Sequence, residues 1–122
     1  MPSARYNLVV EIGATFNPVF TWKDSNGAPI DLSGYKARMQ IRADINDVTP
    51  IADLSTEHSP PEITLGGPAG TITLLLTAAV TEAITADSGV YDLEVYTGTA
   101  PTETVVRLLS GKATFSPEVT RP

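Results

Sequence analysis

The chain has 122 residues, 14 acidic against 8 basic for a net charge of −6, no cysteine and a single histidine. A domain of this length buries roughly two-thirds of its unfolded surface, enough for a core without staples. Missing cysteines exclude disulfides and thiolate metal sites, and an acidic balance without any lysine or arginine cluster opposes binding to nucleic acid through its phosphates. The first apolar run, Leu8 to Val10, is cut at once by Glu11 and is no secretory leader core. Alternation then begins: Tyr6, Leu8, Val10 and Ile12 fall on one side, Asn7 and Glu11 on the other, the period of a half-buried strand. After Gly13 a second strand is predicted, with Phe16, Pro18, Phe20 and Trp22 alternating against Thr15, Asn17, Thr21 and Lys23. Pro18 has no amide hydrogen and predicts a sheet edge or bulge there.

Asp24-Ser25-Asn26-Gly27 reads as a turn, since Asn-Gly accepts positive φ. Beyond Pro29 to Leu32 and the Ser33-Gly34 turn comes the clearest strand. Tyr35, Ala37, Met39 and Ile41 face one way; Lys36, Arg38, Gln40 and Arg42 face the other. Asp44 to Pro61 is polar and proline-bearing, a long loop with a short strand near Pro50 to Leu54. Glu62 to Leu65 and Thr71 to Thr77 read as strands joined through Gly66 to Gly70. The one helical candidate is Ala78 to Ala86, a turn or two capped by Thr77 and weakened by Thr81 and Thr85. Ser88-Gly89 returns the chain to a strand, Val90 to Thr97, with Tyr91, Leu93 and Val95 opposed to Asp92, Glu94 and Tyr96. A turn from Gly98 to Thr102 leads to Glu103 to Leu109, a bend at Gly111, and Lys112 to Phe115.

Short strands at turn spacings near ten residues, with one-sided alternation, predict an all-β fold: an antiparallel β-sandwich, Ig-like, of seven to eight strands with at most one short helix. Its expected core includes Phe20, Trp22, Tyr35, Met39, Ile41, Tyr91, Leu93 and Val95. An Ig-like arrangement sets the strand of Arg38 beside that of Asp92 and Glu94, pairing a basic face with an acidic one. No apolar run approaches the ~20 residues of a membrane helix; Leu74 to Leu76 is the longest core of one.

Catalytic residues are scarce. His58 lies in a proline-rich loop, Ser55 to Pro61, with no partner cysteine for a zinc set and no G-x-S-x-G or P-loop lysine elsewhere. Asp24, Asn26 and Asp31 surround a turn, but their spacing is not that of a calcium loop. Asp92 and Glu94 share one strand face, whereas a glycosidase pair comes from facing walls of a cleft. The expectation is a protein that is not an enzyme and takes no cofactor or metal. Tyr96, a tyrosine on the polar side of its strand, is a candidate interface anchor.

Two stretches carry a resemblance: FTWKDSNGAPIDLSGYKARMQIR, preceded by GATF, and GVYDLEVYTGTAPTETVVRLLSGKATFSPEVTR. They resemble small β-sandwich proteins of tailed phages and the N-terminal domain of phage baseplate upper proteins. The matching positions are Gly27, Pro29, Ile30, Asp31, Leu32, Gly34, Ile41 and Arg42, then Tyr91-Asp92-Leu93, Gly111 and Val119-Thr120-Arg121. The resemblance implies a structural protein of the virion, in the tail, baseplate or fibre attachment, assembled in the bacterial host cytoplasm. Its partners would be other virion structural proteins, in an oligomeric assembly, with no nucleic acid and no membrane. Alternatives are a capsid decoration protein or a generic protein- or carbohydrate-binding sandwich, since fold alone decides no function. The whole chain, 1–122, reads as one domain with extended arms at about 1–5 and 116–122, offered to neighbouring subunits. With Tyr96, the candidate interface residues are Pro2, Arg5, Glu118, Thr120 and Arg121.

Overall fold

The computed structural model describes residues 4–98 and 102–120. Two sheets face each other. The larger contains β1 (Ala4–Arg5), β2 (Leu8–Glu11), β4 (Lys36–Arg42), β5 (Ala52–Ser55), β8 (Ser88–Thr97) and β9 (Thr104–Ser116), in the order β1-β9-β8-β4-β5 with β2 also on β9. The smaller contains β3 (Val19–Thr21), β6 (Ile63–Leu65) and β7 (Thr71–Leu74), in the order β3-β7-β6. The all-β sandwich expected from the alternation is present, and β3 is an edge strand, as Pro18 requires. Every described strand pairing is antiparallel except those of β1 and β2, which run parallel to β9 along one edge.

The strict alternation of β4 and β8 places Ala37, Met39, Ile41, Tyr91, Leu93 and Val95 in the core between the sheets. Leu8, Val10, Leu54, Ile63, Ile72, Leu74, Ala113 and Phe115 extend it from the other strands. Phe20, Trp22 and Tyr35, expected in the same core, are only partly buried and pack against its border. The reason is topological. Phe20 sits on an edge strand, and Trp22 and Tyr35 follow or precede their strands, meeting each other edge-to-face at 6.4 Å.

Turn chemistry follows the sequence closely. The Asp24 carboxylate accepts from the amides of Asn26 (2.9 Å) and Ala28 (3.0 Å), and Gly27 takes φ +82°. A short helix, α1 (Ala78–Glu82), is capped by Thr77, whose hydroxyl accepts from the Val80 amide. Thr81, counted against the helix by propensity, is buried and ties it to the β2–β3 connection: its hydroxyl donates to the Ala14 carbonyl (2.8 Å) and accepts from the Gly13 amide (3.1 Å).

The bend expected at Gly111 is elsewhere. β9 runs unbroken through Gly111, and its irregularity is a bulge: Leu109 opposes Leu93 while Arg107 opposes Glu94, leaving Leu108 as the extra residue. Gly111 is needed for another reason. A β-carbon there would lie 2.4 Å from the Tyr6 carbonyl oxygen, so only glycine lets the amino-terminal segment cross this close. Tyr91 secures the same crossing by donating its hydroxyl proton to that carbonyl. Burial pushes the Tyr91 phenol up to about 12.

Candidate assembly surfaces

The outer face of the larger sheet is a charged lattice built by register. β4 and β8 pair so that Arg38 opposes Glu94, Gln40 opposes Asp92 and Lys36 opposes Tyr96. Arg38 Nε donates to Glu94 Oε1 at 2.9 Å, and its guanidinium carbon stands 4.5 Å from the centre of the Tyr96 ring. The expected pairing of a basic with an acidic strand is therefore observed. Arg107 on β9 reaches Asp92 at 3.5 Å, and Lys36 reaches Glu57 at 3.2 Å. The hydrogen bond to Glu94 holds the Arg38 guanidinium above its usual range. Partial burial, reinforced by Glu94 and opposed by Arg107, raises the Asp92 carboxyl. His58 is exposed and its Nδ1 lies 2.6 Å from Glu62 Oε1. Among the described residues there is no cluster of three or more histidine, aspartate or glutamate side chains placed to hold a metal ion, and no helix long and apolar enough to cross a membrane.

At the edge where β3 faces β9, the two sheets part. Tyr6 and Phe20 close one end of the gap with an edge-to-face contact at 5.4 Å. Beyond them lies an open groove of about 470 Å³, floored by Ile72 and Leu93 and walled by Phe20, Trp22, Val106 and Leu108. The β9 bulge helps to make it, because the extra residue, Leu108, is turned into the groove rather than paired. Lys23 stands at its rim; Arg107 borders it too, but its side chain pairs with Asp92 on the outer face.

A third feature is the loop after β4. Arg42 Nη1 donates to the carbonyls of Asp47 (2.7 Å) and Val48 (2.8 Å), while Asp44 accepts from the amides of Asn46 and Asp47, each at 2.9 Å. The loop held this way presents Ile45 and Val48 outward, 79% and 91% exposed.

Of the six candidate interface residues, the four that are described, Arg5, Tyr96, Glu118 and Thr120, sit on different parts of the structure. Pro2 and Arg121 lie outside the described residues. Arg5 is exposed on β1, opposite Ser110, so the amino-terminal arm expected over 1–5 is joined to the sheet at Ala4 and Arg5. Likewise Ser116 is the last residue of β9, and the carboxyl-terminal segment leaves the sheet only after it. Tyr96 is partly covered by Arg38, on the charged face. Glu118 is partly buried with its carboxylate over Gly13, where a β-carbon would lie 1.7 Å from Oε2, and Thr120 is exposed. Sequence reasoning missed Ile45 and Val48, which sat unremarked in a stretch read as polar loop. It also missed the groove: of its walls, it assigned Phe20 and Trp22 to core, and Val106 and Leu108 only to a strand.

No protein-family model matches the chain, and no curated protein matches it. Among solved structures it is similar to the N-terminal domain of phage TP901-1 ORF48, with a TM-score of 0.55 and 8% sequence identity, over 95% of this chain and 99% of that one. At that identity the likeness is one of fold, and it spans nearly the whole of both chains. The β-sandwich is one that a phage protein also uses.

Proposed function

We propose that this chain is a structural protein of a tailed-phage virion, a tail, baseplate or fibre-attachment component that acts through contacts with other virion proteins. The observation that carries the reading is the fold shared with a phage domain across nearly the full length of both chains. The surfaces support it. The sandwich offers a charged lattice, an open apolar groove at a sheet edge and a stiffened loop bearing two exposed aliphatic residues, all features suited to docking. On this reading the protein is not an enzyme and needs no cofactor. Fractionating purified particles into heads and tails, followed by mass spectrometry, tests it. The chain should be found in the tail fraction at a fixed copy number. Recovery with heads would make it a capsid component instead, and its absence from particles would remove the virion role.

A further inference from the structure

Ile45 and Val48 are displayed, not merely left over. Single exposed aliphatics are ordinary on a protein surface, but these two sit on a loop tied by four hydrogen bonds and stand 79% and 91% exposed. Ordering that loop costs little at the moment of binding, because Arg42 and Asp44 already hold its backbone. Between and beside the aliphatics stand two acidic residues, Asp44 and Asp47. The groove between β3 and β9 has the opposite character at its rim: apolar walls from Phe20, Trp22, Val106 and Leu108, with Lys23 at the mouth. Lys23 is exposed and takes part in no ion pair among the described residues.

We propose that the Asp44–Val48 loop of one copy docks into the Phe20–Trp22–Val106–Leu108 groove of a second copy. Ile45 and Val48 enter the apolar part, and Asp44 and Asp47 meet Lys23. Knob and hole are different patches of one surface, so the contact is head-to-tail. It generates a ring if the rotation closes and a filament if it does not. Because each copy carries one knob and one hole, a copy lacking either can still end a chain.

Sedimentation velocity on the full chain, from about 1 μM to about 1 mM, the range of weak contacts, tests the proposal. Trp22, the sole tryptophan, provides a second readout, since its emission should shift to the blue as the groove is filled. Wild type should associate with rising concentration, and less so at high salt. Ile45→Asp with Val48→Asp should be monomeric, as should Thr21→Glu with Lys23→Glu; all four positions are exposed, so both variants should keep the wild-type circular dichroism and melting temperature. Mixed together, the two monomeric variants should form a dimer and nothing larger, through the one intact loop and the one intact groove that remain. A charge swap gives an independent check: Lys23→Glu or Asp47→Lys alone should weaken association about tenfold, and the two combined in one chain should restore most of it. A wild-type chain that stays monomeric over this range overturns the proposal in favour of a foreign occupant for the groove. So does a loop variant that associates like wild type, or a mixture that yields no dimer.

Discussion

The centre of the larger sheet and the edge where β3 faces β9 use the same sequence signal and end in different environments. In β4 and β8, each alternate residue from Ala37 to Ile41 and from Tyr91 to Val95 is sealed between the sheets. On β3 and the first half of β9, Phe20, Val106 and Leu108 also face inward, yet they border open space. Alternation reports which face of a strand is apolar. It says nothing of whether a second layer reaches that far. The difference lies in neighbours: β4 and β8 are flanked on both sides, whereas β3 pairs only with β7 among the described strands.

Truncation should expose this contrast most strongly. Leu93→Ala removes a side chain with no exposure and should cost roughly 2–5 kcal/mol in urea unfolding. Trp22→Ala removes a larger side chain from the groove wall and should cost less than half of the roughly 3–5 kcal/mol of a fully packed aromatic. Equal costs would mean that the groove is closed in solution and that the two regions do not differ.

The next largest effect concerns a polar anchor that joins the periphery to the core. Thr81 is buried, and its hydroxyl serves both Gly13 and Ala14 of the β2–β3 connection. Thr81→Val keeps the shape but leaves a partly buried amide and carbonyl without their partner, at a cost of about 1–3 kcal/mol. Thr81→Ser, which keeps the hydroxyl, should recover most of it. If valine is tolerated as well as serine, the anchoring role is wrong and Thr81 is only filler.

Smaller still is the charged lattice. A double-mutant cycle on Arg38→Ala and Glu94→Ala should give a coupling of about 0.2–1 kcal/mol, since both side chains remain partly open to water. The value should fall in high salt. A coupling near zero at low salt would leave the register of β4 and β8 fixed by the inner apolar face alone.

How far the fold could be read ahead of the structure varies with the kind of signal. The turn at Asp24–Gly27, the strand from Lys36 to Arg42, the edge at Pro18 and the Thr77 cap each depend on contacts within a few residues, and each was legible. The Gly111 position was not, because its role depends on Tyr6, more than a hundred residues away. Thr81 was judged by local helix propensity, and its tertiary partners outweigh that propensity. At the surface, the lattice of Arg38 and Glu94 followed from strand order. The loop carrying Ile45 and Val48 did not, because two aliphatics among aspartates carry no periodic pattern. Only the backbone bonds from Arg42 show that they are held outward.

The subtlest difference between centre and edge is in protons. Asp92 lies on the outer face of the central β8, where partial burial and Glu94 raise its carboxyl above the ordinary 3.8, against the pull of Arg107, Arg42 and Arg38. A carboxyl with a higher value folded than unfolded binds its proton more tightly in the folded state. Its contribution therefore declines as pH rises from 3.8 through the raised value, and levels off above it. Glu57, held low by Thr56 and Lys36, contributes in the opposite sense: its stabilisation is present above its ordinary value and is lost as pH falls. The two effects overlap in a wild-type profile, so the informative quantity is the difference between wild type and Asp92→Asn. In urea unfolding between about pH 3 and pH 7, the variant should gain on wild type as pH rises through that window, and the difference should then stay flat. Losing the partner of Arg107, an exposed ion pair at 3.5 Å, should lower the variant's curve by a small constant above the window. Parallel curves throughout would show that Asp92 titrates alike in both states, and that the outer face of the central strands is as open to water as the edge.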